Sequence, residues 1–280
     1  MILEDINSNV VGEIQRNECL IKGMRKMNKG LYDYLVQEEN QPLTGWNFDY
    51  LERSGRMVEF PMKWHLPTII KDYFKEAHSV LDMGTGGGEF LSSLAPLPAK
   101  TVATEGYEPN ISVAKTCLEP LGVSVVHANS NQILPLESNQ FDIVINRHEP
   151  FDACEVARLL NDGGVFITQQ VGGLNDCELN LWLNAEPCEF SNWSLRTAVN
   201  ELREAGFHIE VAKDDISLTR FYDIGAIVYY LKVINQQVPN FSVEKYYDRL
   251  EIIHRLIHEK GYVDITRHRF LIVAKKETDQ

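Results

Sequence analysis

Between residues 79 and 169 the chain repeats one pattern: a short apolar run, a polar turn, then an amphipathic stretch. Apolar runs bounded by turn signals read as buried strands, and apolar positions spaced three and four apart read as helices. On these criteria strands are expected over 79–82, 101–104, 123–127, 141–145 and 165–169. Helices are expected over about 87–94, from Pro109 to about Gly122, and from Glu155 to Leu160. A further helix opens at Pro67, through Ile69, Ile70, Tyr73 and Phe74, because proline suits the first helical position. Strands alternating with helices at this pace predict an α/β fold with a doubly wound, parallel sheet.

After Gln170 the beat changes. Residues 172–192 form a connection containing Trp182. A helix capped by Ser194 presents Leu195, Ala198, Val199, Leu202 and Ala205 on one face and stops at Gly206. A strand over 207–212 follows. Residues 213–261 are too long for a turn and hold an apolar helix, Ile224 to Ile234, and an amphipathic one from Ser242. They read as a helical insertion forming part of a cap before a last strand, 269–274. Upstream, residues 1–65 show no strand alternation. A helical pattern runs from Ile14 to Leu35, made basic by Arg16, Lys22, Arg25, Lys26 and Lys29, and reads as a solvated face. The aromatic stretch Trp46, Phe48, Tyr50, Phe60, Trp64 and His65 suits a lid or core packing equally. Two parts are therefore expected: an N-terminal helical or lid segment, 1–65, and a domain over 66–280 with its insertion at about 213–261.

Composition narrows the function. The 280 residues carry 27 basic and 40 acidic side chains, a net charge of -13, which argues against a broad nucleic-acid or anionic-membrane footprint and leaves a local basic patch open. Cys19, Cys117, Cys154, Cys177 and Cys188 are scattered without metal-type spacing, so reduced thiols, a cytoplasmic setting and no metal site are expected. Met1 to Asp5 lacks the basic and apolar regions of a secretory signal, and no apolar run approaches a membrane span.

The chemistry starts at Asp82-Met83-Gly84-Thr85-Gly86-Gly87-Gly88-Glu89. A strand, a glycine turn and a helix in that order form the front of a nucleotide site. The glycines admit a close ligand, and the helix start offers unpaired N–H groups and a positive dipole end. A dinucleotide site would place its third glycine at 89, where Glu89 would oppose a pyrophosphate. The D-x-G-x-G-x-G spacing instead resembles motif I of the class I S-adenosylmethionine-dependent methyltransferases. Asp82 suits the ammonium of that cofactor, and backbone N–H groups of the turn suit its carboxylate. Glu105, 17 residues past Gly88, suits two ribose hydroxyls, since one carboxylate accepts both hydrogen bonds. In Ala128-Asn129-Ser130 the family often holds an aspartate that accepts from the adenine amine; Asn129 departs from it but keeps an accepting oxygen, and a purely turn-forming role fits it as well.

The resemblance extends through Leu159-Leu160-Asn161-Asp162-Gly163-Gly164-Val165-Phe166 and, with Arg147-His148-Glu149, Thr168 to Gly173 and Arg220 to Gly225, is similar to bacterial methyltransferases of type 11 without an assigned substrate. It implies a Rossmann-like sheet of seven strands, the last antiparallel, and S-adenosylmethionine held by Asp82, Gly84, Thr85, Gly86, Gly88, Glu105, Gly106, Asn129, Ser130 and Asn146. Ligands of doubly wound sheets sit outside the strand ends at the switch in strand order. Asn146-Arg147-His148-Glu149-Pro150-Phe151, after the fourth strand, should therefore face the methyl group. There His148 is expected as a general base, Glu149 as its orienting partner and Arg147 as a holder of an anionic group. The segment lacks the two prolines of enzymes that methylate amino nitrogens of adenine or glutamine. Gln169-Gln170 should point at the same crevice; Tyr222, Tyr229 and Tyr230 read as core. The reading is a methyltransferase for a small molecule, with an RNA methyltransferase and a non-catalytic cofactor binder as its rivals.

Overall fold

The computed structural model describes residues 27–43, 48–129 and 133–278. The basic residues 16–26, Cys19, Trp46 and Ser130 lie outside them. Eight strands are found among the described residues, hydrogen-bonded in the order β1-β7-β8-β6-β5-β2-β3-β4. They are β1 (Met57–Glu59), β2 (Ser79–Met83), β3 (Lys100–Glu105), β4 (Ser124–His127), β5 (Phe141–Arg147), β6 (Leu160–Val171), β7 (Phe207–Phe221) and β8 (Val263–Lys276). Strands β4, β3, β2, β5 and β6 run parallel, and β8 lies antiparallel to β6. The mixed α/β, Rossmann-like sheet with its last strand antiparallel is thus as the sequence predicts. The count of seven is corrected to eight: β1 pairs antiparallel with the end of β7. Its three residues are too few to show an alternation.

The chain divides into two compact units. One comprises 62–172, 193–215 and 269–280, and holds β2 to β6. Its sheet is buried on both faces, as parallel sheets are. Val80, Ala103, Ile143, Ile145, Ile167 and Leu271 pack with Leu66, Ile70 and Phe74 of helix Leu66–Phe74 and with Leu118 of helix Glu108–Leu118. On the other face Leu81, Met83, Val144, Phe166, Phe270 and Ile272 pack with Val156 and Leu159 of helix Ala153–Leu159 and with Ala198 and Leu202 of helix Leu195–Glu204. The latter helix begins as expected, with Ser194 Oγ accepting from Thr197 N. Strand β6 starts earlier than the sequence suggests. Asn161 to Gly164 read as a turn, but the backbone absorbs them in a register shift opposite Phe141 and Ile143.

The other unit comprises 1–61, 173–192 and 216–268. Its described helices are Lys29–Glu39, Asp49–Glu52, Cys177–Leu183, Ile224–Val233 and Val243–Lys260. Helix Ile224–Val233 is buried nearly all round, which is why its sequence is apolar without a polar stripe. Phe48 stacks on Tyr230 and Tyr50 tilts against Tyr229; the two insertion tyrosines are core, Phe48 packs half-buried against it, and Tyr50 is exposed. Tyr222 is exposed. Strand β7 continues from the expected 207–212 to Phe221, and the two helices follow it. No described helix is long and apolar enough to cross a membrane.

Candidate functional site

Side chains alternate along a strand, so the packing of the two sheet faces fixes where the polar strand ends point. Asp82, two residues beyond Val80, and Glu105, two beyond Ala103, share a face with Arg147 and Gln169. Asn146, Thr168 and Gln170 follow Val144 and Phe166 onto the opposite face. Register brings them level: Met83 lies beside Thr104 and Asn146, Asn146 beside Thr168, and Arg147 beside Gln169.

The glycine turn is pinned to β3. Thr85 N donates to Thr104 O (2.9 Å) and Gly84 N to Thr104 Oγ1 (3.3 Å). Gly84, Gly86 and Gly88 all have positive φ, which side chains disfavour. A Cβ on Gly84 would strike the Glu149 side chain, and one on Gly88 would meet Leu118. A Cβ on Gly86 would meet nothing within 4 Å: this is the open side of the turn. The helix after the turn, Glu89–Ser93, has only five residues, with Pro96 and Pro98 soon after. Its dipole is correspondingly small, and the turn's own N–H groups are the larger resource.

Asp82 is buried, and its carboxyl is pushed up to about 6. Burial is the main cause; the Glu105 charge adds to it, while the Thr85 hydroxyl and Arg147 oppose it. Glu105 is buried too, and its Oε1 accepts from Tyr107 N (2.6 Å). Asn129 is exposed and lies so close to Gly106 that a Cβ there would collide with its Oδ1. On the other face Gln170 Nε2 lies 2.6 Å from Asn146 Oδ1, 2.8 Å from Thr168 Oγ1 and 3.0 Å from Glu149 O. Asn146 Oδ1 also accepts from Thr168 Oγ1 (3.0 Å), while Asn146 Nδ2 is buried without a hydrogen-bond partner.

Past β5, Arg147 lays its guanidinium over the Phe90 ring, 4.7 Å from the centroid. His148 is exposed, in a left-handed conformation (φ 64°) held by its N–H on Gln169 O (2.8 Å). Its Nε2 lies 2.9 Å from Gln169 Nε2, and Gln169 Oε1 accepts from Trp64 Nε1 (2.9 Å). Gln169 is thus one partner of the His148 ring, and the Glu149 side chain packs on Gly84. The structure brings Asp82, Glu105, Asn146, Arg147 and His148 to neighbouring strand ends, Ser130 lying outside the described residues. The roles of Trp64 and Thr168 are the additions. Period-two alternation signals Thr168, whereas nothing local in the sequence joins Trp64 to residue 169.

The donors and acceptors fit a ligand of mixed polarity: two buried carboxylates for cationic and hydroxyl groups, an orphaned amide N–H and an open glycine turn. Among the described residues no three His, Cys, Asp or Glu side chains are grouped to hold a metal. The fold and the placement of these residues at the strand ends are those of a nucleotide-type α/β domain.

A family model described as a methyltransferase domain matches residues 81–168. The chain is 29% identical over 170 residues to the ribosomal RNA small subunit methyltransferase G of Chlorobaculum tepidum, spanning 52% of this chain and 78% of that protein. It is 33% identical over 94 residues to the ubiquinone biosynthesis O-methyltransferase of Roseobacter denitrificans, spanning 31% of this chain and 38% of that one. In fold it is similar to a Bacillus halodurans protein described as a methyltransferase (TM-score 0.54, 22% identity, 76% of this chain and 99% of that one). It is also similar in fold to the YcgJ protein of Bacillus subtilis (TM-score 0.53, 16% identity, 77% and 99%). These likenesses support a class I S-adenosylmethionine-dependent methyltransferase domain over residues 81–168.

Proposed function

We propose that this enzyme binds S-adenosylmethionine at the ends of β2, β3 and β5 and transfers its methyl group in line to a small-molecule acceptor. The supporting observation is the shared face of Asp82, Glu105 and Arg147 beside the open Gly86 turn. Two neighbouring carboxylates favour a ligand with sulfonium and ammonium charges and oppose a pyrophosphate. Asp82 would take the ammonium and Glu105 the ribose hydroxyls. The Gly86 N–H, on the open side of the turn, and Asn146 Nδ2 would serve ligand oxygens. Gly106 leaves room for Asn129 to accept from the adenine amine, with Ser130 following it; Gly88 keeps the turn close to Leu118. Arg147, His148 and Glu149 would face the acceptor. The bound cofactor supplies an activated methyl group, so the protein's part is alignment and exclusion of water.

A small acceptor agrees with the net charge of -13, which disfavours phosphate neutralisation along a nucleic acid. A second reading, an RNA acceptor, draws support from the 29% identity to a ribosomal RNA methyltransferase. The described cysteines are all free thiols, in keeping with a cytoplasmic enzyme. Incubating the enzyme with cell extract and methyl-deuterated S-adenosylmethionine, followed by mass spectrometry, tests the reading. Label in the small-molecule fraction is expected. Label in RNA would favour the second reading, and cofactor binding with label in no fraction would mark a non-catalytic binder.

A further inference from the structure

We infer that Trp64 and Gln169 are positioning residues that fix the tautomer of His148, so that this histidine donates a hydrogen bond to the methyl acceptor instead of deprotonating it. The indole sets the direction of the whole series. A Trp Nε1–H only donates, so the Gln169 atom 2.9 Å from it must be the accepting oxygen. That settles which way the amide faces: its NH2 group, which only donates, lies 2.9 Å from His148 Nε2. Nε2 must therefore accept, and the neutral ring carries its proton on Nδ1.

Three features hold the arrangement. Gln169 and Trp64 are buried, with 2% and 8% of their surfaces exposed, so water cannot readily replace the bond that sets the amide's direction. Rotating the amide would set its NH2 group against the indole N–H and strand a buried donor. The His148 backbone is tied to the same residue through its N–H on Gln169 O, in a left-handed conformation that aims the ring.

A histidine so held has no basic nitrogen to offer without breaking the Gln169 bond. With His148 removed as the base, the acceptor that needs no other base is one whose reacting atom brings its lone pair ready for use. Taken with the proposed methyl transfer, on which this part rests, the acceptor class is an anion such as a carboxylate, enolate or phenolate. The methyl–sulfur bond breaks as the methyl–oxygen bond forms; the sulfonium becomes a neutral thioether and the anion a neutral methyl ester or ether. No proton is released, so no base is required.

The tautomer is read in the ligand-free protein, full chain, by long-range proton–nitrogen NMR of 15N-histidine-labelled material, the His148 signal being the one lost in His148→Asn. The wild type should show protonated Nδ1 and unprotonated Nε2. Gln169→Glu, which turns the neighbour into an acceptor, should move the proton to Nε2, and Trp64→Phe should give a mixture. Protonated Nε2 in the wild type, or a His148 signal unchanged by Gln169→Glu, would overturn the inference whether or not any methyl transfer is found. The donor role is read by label transfer from methyl-deuterated cofactor into extract. His148→Ala should lose about tenfold, as for one lost hydrogen bond, and His148→Asn, which restores an N–H donor and no base, should recover most of that loss. Equal loss in both variants would point to a base and contradict the donor role.

Discussion

At the scale of single residues, the informative groups are those whose chemistry conflicts with their surroundings. Asp82 sits under the glycine turn with its carboxyl at about 6, chiefly because burial disfavours its charge. Its folded value lies above the unfolded one, so the neutral form is the one that favours folding. That contribution is fully present below about pH 4 and is lost as pH rises through about 6; at its largest it is on the order of 3 kcal/mol. Asp82→Asn should therefore raise the melting temperature of the ligand-free protein at pH 7 and leave it nearly unchanged at pH 4. On the proposed assignment of Asp82 to the cofactor ammonium, the same titration should govern cofactor binding with the opposite sense, because an ammonium pairs only with the ionised form. Affinity for S-adenosylmethionine in the wild type should weaken as pH falls through about 6, and in Asp82→Asn should be weak and flat. Calorimetry across pH 5–8 checks this; a wild-type affinity that does not change over that range would remove Asp82 from the ammonium.

At the scale of elements, the site depends on a strand, a turn and a helix that each do one thing. Strand β2 ends in Asp82 and Met83, the turn is pinned to β3 with Gly86 on its open side, and Gly88 lets helix Glu108–Leu118 come close through Leu118. Gly86 is the position that separates ligand space from folding space. It has φ 63° and nothing within 4 Å of a built Cβ. Gly86→Ala should cost about 1 kcal/mol of stability from the left-handed backbone; Gly86→Val should cost more and also obstruct the ligand. The test is denaturant unfolding beside cofactor titration: an unstrained, fully binding Gly86→Val would show that the open side of the turn is not the ligand side. These elements were legible because their signals are local: apolar runs of buried strands, glycines at fixed spacing, Ser194 before an amphipathic run. Strand β1 was not legible, since Met57 to Glu59 pair only through the far end of β7. The extension of β7 to Phe221 was hidden for a related reason: Lys213, Asp214 and Asp215 end the apolar run where the insertion was expected to begin, while the structure carries the strand through them. Trp64 reaches Gln169 across 105 residues, and such a partnership has no sequence period.

At the scale of the whole molecule, function follows from which residues the parallel strand ends collect at one place. The Asp82, Glu105 and Arg147 positions come from three different strands, and only the register of β3, β2 and β5 makes them neighbours. The second unit has its own core, built around helices Ile224–Val233 and Val243–Lys260, with the insertion tyrosines Tyr229 and Tyr230 inside it. The acidic balance of the chain and the two acidic residues at the site both favour a cationic cofactor over a phosphate-rich one. The central claim is that the full chain binds S-adenosylmethionine with Glu105 on the ribose hydroxyls. Titration calorimetry of wild type and Glu105→Gln with S-adenosylmethionine, and of the wild type with NAD, tests it most directly. One binding event in the wild type is expected, weakened by about 1–3 kcal/mol in Glu105→Gln as a charged acceptor is replaced by a neutral one, and no tight NAD binding. Unchanged affinity in Glu105→Gln, or tight binding of NAD by the wild type, would contradict the assignment.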